Sequence, residues 1–501
     1  MSGIPQLVWF KRDLRVHDHE ALNAAASTGP ILPFLAIEQD WWVGDDMSAR
    51  QYAFFAECAS ELIEALADRA VSLHVHIGDV TALLEQALAA YGPFALWAHQ
   101  ETGNAWSFGR DVAVRRWMRA HSLAFHEPVQ NGVRRGSALN RDRWARDWDA
   151  QMHKPMAAAP PHISGLALTS SVALPSMLTL FAPDLITMRQ PGGRQAALAT
   201  LDSFLNVRGR DYRTDMSSPI LGEHGCSRLS AHLAWGTVSI REVFQATSAR
   251  LAGLQDDKSA DAKVWRASLG AFVGRLHWHC HFTQKLETEP ELAWRPTARV
   301  YEGMRPPATR LIAGAFSQGQ TGFPFVDACM RQLAATGWIN FRMRAILISF
   351  ACYDLWMPWQ TAGAILARLF TDYDPGIHWP QSQMQSGETG INTLRIYSSV
   401  KQGHDHDPDG HYIRRWVPEL AGIDGAAVHE PWLIDGFVEY PPPLVDHAAA
   451  SKAARDAIWA IRRTDVAKRE AAEILARHGS RRRPANRKRK LVAKEKLKDG
   501  V

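Results

Sequence analysis

Strands and helices alternate along roughly the first 125 residues, and this alternation constrains the fold more than any other feature of the sequence. Short apolar runs predict buried strands at residues 6–10, 31–37, 71–77 and 95–98. Helical patterns lie between and after them, at about 48–69, 79–88 and 109–121. Strands that alternate with helices are typical of a doubly wound parallel sheet. The fold class predicted for residues 1–128 is therefore a Rossmann-like α/β domain, and the absence of a GxGxxG or phosphate-loop motif argues against an ordinary dinucleotide or ATP site there.

The pattern changes twice after this domain. Residues 129–195 combine prolines with alanine and serine runs, which predicts an interdomain connector at the surface. From 196 to 479 the apolar spacing is helical and no strand is predicted, which indicates a large all-α domain. Residues 480–501 form a basic tail that we expect to be disordered. Because the tail contributes +8 to a net charge of +5, the rest of the chain sums to −3, and any nucleic-acid surface on it must be a local patch.

One stretch of the helical region, residues 336–420, concentrates arginines, aspartates and tryptophans. An apolar-and-arginine pattern at helical spacing leads into a long apolar helix predicted to run through Phe350 and Trp359. An irregular loop with Asp372 and Asp374 is expected next, because two prolines and a glycine disfavour regular helix. Buried arginines need acceptors, and these two aspartates supply them. The combination predicts a site for a large polar and aromatic cofactor.

Motifs along nearly the whole chain match one protein family in order. They are Trp9-Phe10-Lys11-Arg12-Asp13-Leu14-Arg15 with His17-Asp18 and Ala21-Leu22, Gly319-Gln320-Thr321-Gly322-Phe323-Pro324 with Asp327 and Met330-Arg331, Gly337-Trp338, the pairs Arg342/Arg344 and Asp372/Asp374, and residues 412–420. In these motifs the chain resembles the DNA photolyase/cryptochrome family. The resemblance implies a photolyase fold, in which a Rossmann-like domain precedes a large helical domain that binds FAD. One branch of the family binds an iron–sulfur cluster through cysteines late in the chain, and here no cysteine follows Cys352.

The resemblance also implies which residues bind FAD. On the residues alone, the segment 225–230 is favoured as a plain helix cap, although a helix start can also bind an anion. The family places the flavin pyrophosphate at this segment. The FAD contacts carried over are Tyr212, Cys226, Ser227, Arg228, Leu229, Ser230, Arg275, Trp338, Phe341, Arg344, Asp372, Tyr373, Asp374 and His378.

The same resemblance implies which residues transfer electrons to the flavin and which contact the damaged base. Trp379 and Trp359 match tryptophans that pass electrons to the flavin, and His378 falls where a residue faces flavin N5. The lesion contacts carried over are Ala271, Gly274, Trp278, Asn340, Arg342, Met384 and Gln402. Several of these depart from the family pattern. A glutamate is usual near Ala271 and a tryptophan at Gly274, and Phe341 replaces an asparagine that here falls one position early.

Three functions are compatible with this resemblance. The favoured one is light-dependent splitting of cyclobutane pyrimidine dimers in DNA, by electron transfer from FAD. A (6-4) photolyase should carry two adjacent histidines beside Arg342, where Asn340 and Phe341 stand instead. A cryptochrome-like blue-light photoreceptor is kept open by the altered lesion pocket.

The sequence also bears on cofactors other than FAD and on the cellular compartment. An antenna chromophore, a folate or a deazaflavin, would be contacted by the loop 101–104, and the alternative is a scaffold with an empty cleft. No metal is predicted: His277 and His281 are at helical spacing but have no third ligand, and 405–416 fails as a calcium loop. Five unpaired cysteines and no membrane span predict a cytoplasmic protein. We expect a monomer whose partner is damaged DNA.

Overall fold

The N-terminal part of the protein is a parallel five-stranded sheet with strand order β3-β2-β1-β4-β5. A computed structural model describes residues 3–136, 140–184, 186, 188–436 and 440–479 of the chain. The strands are β1 (Gln6–Phe10), β2 (Ile31–Ile37), β3 (His74–Ile77), β4 (Ala95–Trp97) and β5 (Ala124–His126). The helices around them are α1 (Glu20–Ala26), α2 (Gln39–Trp42), α3 (Ala49–Ala67), α4 (Val80–Tyr91) and α5 (Ala105–Ala120).

The alternation of side chains along β1 places helices on both faces of the sheet. Val8 and Phe10 pack into the core that includes α1 and α3, whereas Leu7 and Trp9 pack with α4 and α5. Both faces are therefore apolar, as expected for a parallel sheet. The predicted α/β fold class of this part is confirmed.

The rest of the described chain is helical. Two helices lie in the segment that joins the two parts, α6 (Trp144–Met152) and α7 (Met177–Leu180). The helices that follow are α8 (Arg194–Asn206), α9 (Tyr212–Asp215), α10 (Leu221–Gly225), α11 (Ser230–Trp235), α12 (Ile240–Gly253), α13 (Ala260–Thr288), α14 (Arg310–Gln318), α15 (Pro324–Thr336), α16 (Phe341–Ser349), α17 (Trp359–Leu369), α18 (Pro375–Ser386), α19 (Ser399–His406), α20 (His411–Trp416), α21 (His447–Arg462) and α22 (Asp465–His478). Short 3₁₀ turns lie at Arg208–Asp211, Pro290–Ala293, Arg299–Tyr301, Pro418–Leu420, Gly425–His429 and Pro431–Leu433. None of the helices in the described ranges has the length and apolarity to cross a membrane.

The loop predicted after Asp374 is a helix. Pro375 occupies the first position of α18, where no N–H is needed, and Asp374 caps the helix by accepting from the Gly376 N–H at 2.9 Å. Pro380 lies inside the helix and removes one hydrogen bond without ending it. The prediction of an irregular loop was therefore wrong beyond Asp374.

The long apolar helix predicted through Phe350 and Trp359 is interrupted. α16 ends at Ser349, a π-helical turn spans Phe350–Asp354, and α17 begins only at Trp359. Trp356 has a positive φ of 49°, a conformation that a tryptophan adopts only under local constraint. A π turn within a helix is frequent at functional sites.

Other elements also differ from the predictions. The short strand β5 was not predicted, and β3 begins at His74 rather than at 71. The chain after 446 forms two separate helices, α21 and α22, because Thr464 caps the second by accepting from the Ala467 N–H. The connector is not wholly at the surface, since Trp144 and Trp148 of α6 pack into the core of the helical domain. The predicted tail, 480–501, lies outside the described residues.

Candidate functional site

Arg344 and Asp372 form the ion pair at the centre of the candidate site. Asn340 caps α16 by accepting a hydrogen bond from the Met343 N–H, which fixes where the helix begins. From its first turn the Arg344 Nη2 atom donates to Asp372 Oδ2 at 2.7 Å, and Nε donates to the Ile339 carbonyl at 2.9 Å. The predicted pairing of an arginine with Asp372 is confirmed.

The two residues after Asp372 face other partners. Tyr373 donates its hydroxyl to Asp46 of the N-terminal domain at 2.5 Å. Asp374 caps α18, and its second oxygen lies 3.6 Å from His279 Nε2. The prediction that Asp374 would also accept from a buried arginine was wrong, because helix capping uses its carboxylate.

One oxygen of Asp372 has no protein donor. The Oδ1 atom is buried and forms no hydrogen bond with any residue that the structure describes. Such an atom costs about 1–3 kcal/mol when it is left unsatisfied, so it marks the position of a donor outside the polypeptide. The backbone holds it in place, because the Thr371 N–H donates to the Gly337 carbonyl at 3.0 Å. Gly337 has a φ of 70°, and a Cβ there would lie 2.2 Å from Thr371 Oγ1, so only glycine fits.

A second cation faces the same region from the segment before α11. The Arg228 guanidinium lies 4.1 Å from the ring centroid of Trp338, and its hydrogen bonds to Gln190 and to the Glu223 carbonyl are long, at 3.2–3.4 Å. Burial lowers the pKa of Arg228, and the nearby Asp372 opposes this shift. Arg228 also has a positive φ of 61°. A strained, loosely paired arginine beside an aromatic ring suits an anionic, aromatic ligand.

The residues around Arg228 do not form a plain helix cap. α11 begins after Leu229 with no side-chain hydrogen bond to its first N–H groups. Ser227 Oγ accepts only a long bond, 3.4 Å, from the Leu229 N–H, and Ser230 is the first helical residue. Burial raises the pKa of the Cys226 thiol to about 12, so it is protonated. The cap interpretation that the residues alone favoured is not what the structure shows.

A histidine and two tryptophans line the site from α17 and α18. His378 Nε2 lies 2.9 Å from the Gly363 carbonyl, and burial lowers the pKa of this histidine to about 4. The neutral ring therefore donates from Nε2 and leaves the Nδ1 lone pair as an acceptor. Its ring contacts that of Trp379 at 4.9 Å, and Trp379 meets Trp359 edge-on at 5.8 Å. Gly363 permits this packing, because a Cβ there would lie 2.5 Å from Trp379.

One face of α13 is open beside the site. Ala271, Gly274, Arg275 and Trp278 recur at a spacing of three or four residues, which places them on the same side of the helix. A Cβ built on Gly274 would meet no atom within 4 Å, and Trp278 is 42% exposed. This face is available to a ligand larger than a water molecule.

Phe341 extends this open face and lies between two arginines. Its ring is 42% exposed, with the Arg275 guanidinium at 4.4 Å and that of Arg342 at 5.4 Å from its centroid. Arg342 also donates to the Tyr397 hydroxyl at 3.2 Å. Sequence reasoning did not find Tyr397, which carries no motif of its own.

The side chain of the neighbouring Asn340 forms hydrogen bonds with backbone groups. Its side-chain amide donates to the carbonyls of Met216 and Ser218, at 3.3 and 2.7 Å, and its Oδ1 caps α16. Phe341 was predicted to contact the flavin and Asn340 the lesion. In the structure Phe341 is exposed, whereas Asn340 has a structural role.

Three further predicted contacts lie on α9, α18 and α19. Tyr212 packs between Phe204 and Phe272 in the helical core, and burial raises the pKa of its hydroxyl to about 12. Met384 is partly exposed on α18. Gln402, on α19, donates to Asp405 at 3.3 Å.

The loop predicted to meet an antenna borders a cleft between the two domains. Glu101 and Thr102 line this cleft with residues of the helical domain. Two polar side chains of the loop are already paired, because Thr102 donates to Glu287 at 3.0 Å and Asn104 donates to Asp46 at 3.1 Å. The loop thus joins the two domains through its own polar groups.

Comparison with known proteins decides the family. Residues 6–140 match the family model described as DNA photolyase, and residues 272–460 match the FAD binding domain of DNA photolyase. The chain belongs to the DNA photolyase/cryptochrome family. The two matches include the sheet, the residues Gly274, Arg275 and Trp278 of α13, and the Arg344–Asp372 pair.

Relatives of the family extend over most of the chain. A deoxyribodipyrimidine photo-lyase of Streptomyces griseus is 29% identical over 89% of this chain and 97% of its own length. A cryptochrome DASH of Gloeobacter violaceus is 26% identical over 92% of this chain and 97% of its own length. A crystal structure of a class III photolyase from Agrobacterium tumefaciens has the same fold, with a TM-score of 0.79, 24% identity and coverage of 93% and 99% of the two chains.

FAD is the cofactor of this family domain, and the residues present fit it. The unpartnered Asp372 Oδ1 can accept from a ring N–H, and the loosely held Arg228 can pair with a pyrophosphate. The Nδ1 atom of the neutral His378 offers a further acceptor. The helical domain thus supplies what FAD binding needs. The acceptors are Asp372 and His378, the cations are Arg228 and Arg344, and the aromatic surface is Trp338.

Proposed function

We propose that the protein is a photolyase that splits cyclobutane pyrimidine dimers in DNA with blue light. The observation that carries this proposal is the open face of Gly274, Trp278 and Phe341 next to the Arg344–Asp372 pair. An extruded pyrimidine dimer presents two covalently linked pyrimidine rings of one strand between phosphates, and this face offers aromatic rings, two arginines and unfilled space. The name of the Streptomyces griseus relative supports the same substrate.

The roles that we propose for the chain's residues follow from their contacts. Bound FAD supplies the light absorption and the electron that splits the dimer. Asp372, Arg344 and Arg228 hold and orient the cofactor, and Trp338 packs beside it. We propose the same binding role for Tyr212, Cys226, Ser227, Leu229, Ser230, Arg275, Tyr373, Asp374 and His378.

The lesion would lie on the outer side of this cofactor site. Trp278 and Phe341 can stack on an extruded base, and base–aromatic stacking contributes ~1–3 kcal/mol per base. Arg275 and Arg342 can contact phosphates, which would make the affinity depend on salt. The proposed lesion surface also includes Ala271, Gly274, Met384 and Gln402. The residues proposed to carry electrons to the flavin are Trp379 and Trp359.

The wider organisation is also a proposal. We propose that residues 1–128 and 196–479 act as two domains joined by 129–195, and that one chain suffices because the cofactor and lesion residues lie in one helical domain. Five buried, unpaired cysteines fit a reducing compartment such as the cytoplasm. For the antenna we favour the scaffold alternative, because the side chains of Thr102 and Asn104 in the loop 101–104 already have protein partners.

The experiment that tests the proposed function uses two oligonucleotides, one with a cyclobutane thymine dimer and one with a (6-4) photoproduct. Protein with reduced FAD is mixed with each and exposed to blue light, with dark samples as controls. We expect light-dependent repair of the cyclobutane dimer alone. Repair of only the (6-4) photoproduct would contradict the proposed substrate. Repair of neither, with FAD bound, would favour a photoreceptor.

A further inference from the structure

Trp359 lies next to a buried carboxylate that none of the proposed roles uses. The indole side chain is fully buried, and its Nε1–H forms no hydrogen bond of good geometry with any described residue. The Glu388 carboxylate is close enough to this N–H to be stabilised by it. Glu388 follows the glycine that ends α18 and is only 5% exposed.

Arg305 holds this carboxylate in position. Its Nη1 atom donates to Glu388 Oε1 in a short, buried ion pair. The other two donors are fixed by the backbone, because Nε donates to the Cys352 carbonyl at 2.9 Å and Nη2 to the Ser386 carbonyl at 3.0 Å. Cys352 belongs to the π-helical turn, so the interruption between α16 and α17 helps to orient the arginine. The carboxylate therefore has little freedom to move away from Trp359.

The surroundings of Glu388 keep its proton affinity high. Burial raises its pKa to about 7 even though Arg305 opposes the shift. Other groups near the carboxylate are the hydroxyl of Ser386, the phenols of Tyr301 and Tyr353, and the thiol of Cys352. The Arg462 guanidinium donates to the carbonyl of the preceding Gly387 at 3.3 Å and to the Tyr301 hydroxyl at 3.2 Å. Burial raises the pKa values of both phenols and of the thiol, so these three groups are protonated and neutral near pH 7. Glu388 is thus the side chain of this cluster that can accept a proton. A pKa near the working pH lets it gain or lose a proton.

General chemistry connects these two side chains. Removal of one electron from tryptophan makes the indole N–H strongly acidic, and the proton then moves to whichever base is in contact. A charged indole radical in a dry interior is unstable, because burial penalises the charged form. The carboxylate beside Nε1 removes that charge without the need for water.

We propose that Glu388 is the proton acceptor of Trp359 when Trp359 is oxidised through Trp379. This rests on the proposed electron-transfer roles of the two tryptophans. An electron leaves the indole of Trp359 for the oxidised Trp379, the Nε1–H bond breaks and a new O–H bond forms on Glu388. The products are a neutral Trp359 radical and a neutral carboxylic acid, and Arg305 keeps its charge. Return of the electron to Trp359 reverses both transfers, so no further reductant is consumed.

The test is flash photolysis of the protein with oxidised FAD bound, recorded in the visible and the infrared. The cation and the neutral radical of tryptophan have different visible spectra, so loss of the proton is seen directly. In the wild-type protein we expect the neutral radical to form with a solvent deuterium effect, and a protonated-carboxyl infrared band to appear with it. In Glu388→Gln the cation should persist at least tenfold longer and the band should be absent. The exposed Glu302→Gln is the control and should behave like the wild type.

The outcomes separate this inference from the proposal on which it rests. If the Trp359 cation loses its proton equally fast in Glu388→Gln, the inference is wrong and the electron-transfer roles stand. If Trp359→Phe leaves every radical signal of the wild type unchanged, Trp359 is not oxidised and both proposals fail. The infrared band and the deuterium effect are measured on the unaltered chain, so a poorly folded variant would not prevent a decision.

Discussion

At the scale of single residues, Asp372 is the residue on which the proposed FAD site depends most. One of its carboxylate oxygens accepts from Arg344, and the other is buried without a donor among the described residues. Replacement by asparagine keeps the shape and removes the charge, and Arg344→Ala leaves the carboxylate without its partner. We expect either change to lower the FAD content of purified protein at least tenfold. The measurement is the ratio of extracted flavin to protein.

The control for this measurement is Arg295→Ala, which breaks ion pairs at the surface and should keep full FAD. Chromatography of the same extract also reveals any second chromophore, and we expect none. Full FAD in Asp372→Asn would show that the cofactor is held elsewhere.

Phe341 and Asn340 give a paired prediction with opposite outcomes. Phe341 is exposed and free to stack, so Phe341→Ala should weaken binding of dimer-containing DNA by ~5- to 100-fold, the equivalent of one stacked base. Asn340 caps α16 and supports two backbone carbonyls, so Asn340→Ala should cost ~1–2 kcal/mol of stability with little change in DNA affinity. Filter binding and urea unfolding measure the two effects, and the reverse result would restore the assignment made from the sequence.

His378 gives a prediction for pH. Its pKa is about 4 in the folded protein, below the ~6.5 of an unfolded chain. The folded state therefore binds fewer protons between these values, and this histidine costs stability as the pH falls from about 6.5 to 4. His378→Asn should be more stable, relative to the wild type, at pH 5 than at pH 8, by on the order of 1–2 kcal/mol. Urea unfolding at the two pH values checks this, and an equal difference at both would contradict a buried, neutral His378.

At the scale of elements, Gly274 in the middle of α13 is the clearest test of the open face. Glycine within a helix costs ~0.5–1 kcal/mol relative to alanine, and a Cβ at this position meets nothing. We expect Gly274→Ala to stabilise the protein by that amount, as should the matched change Gly270→Ala, which is equally free. Thermal unfolding measures both. Destabilisation by Gly274→Ala alone would mean that another group occupies the space.

The elements also show how far the sequence reaches. The apolar runs that alternate with helical segments predicted four of the five strands correctly. The motif around Arg344 and Asp372 predicted the central ion pair. The prolines of α18 predicted a loop, but the segment is helical. Pro375 is at the first helical position, where no N–H is needed, and Pro380 removes only one backbone hydrogen bond. The π turn before Trp356 has no sequence signature, since it depends on tertiary contacts. The Arg275–Phe341 contact joins two helices distant in sequence, which spacing along one helix cannot reveal.

At the scale of the whole molecule, buried ion pairs connect the two parts of the chain. Asp18 of the N-terminal part accepts hydrogen bonds from Arg241 and Ser239 of the helical part, and all three are buried. Arg50 of α3 donates to backbone carbonyls of the helical part, among them that of Ala334 at 3.0 Å. These contacts hold the sheet rigidly against the helices that carry the cofactor site. We therefore propose that the N-terminal domain supports that site.

Splitting of a cyclobutane thymine dimer in a single turnover tests the central claim most directly. Protein with reduced FAD is mixed with a dimer-containing oligonucleotide at one dimer per bound FAD, exposed to blue light, and assayed for restored thymines beside a dark sample. The account predicts about one dimer repaired per bound FAD in the light, none in the dark, and little in Asp372→Asn because that variant lacks FAD. An intact dimer after illumination, with FAD and DNA both bound, would contradict it.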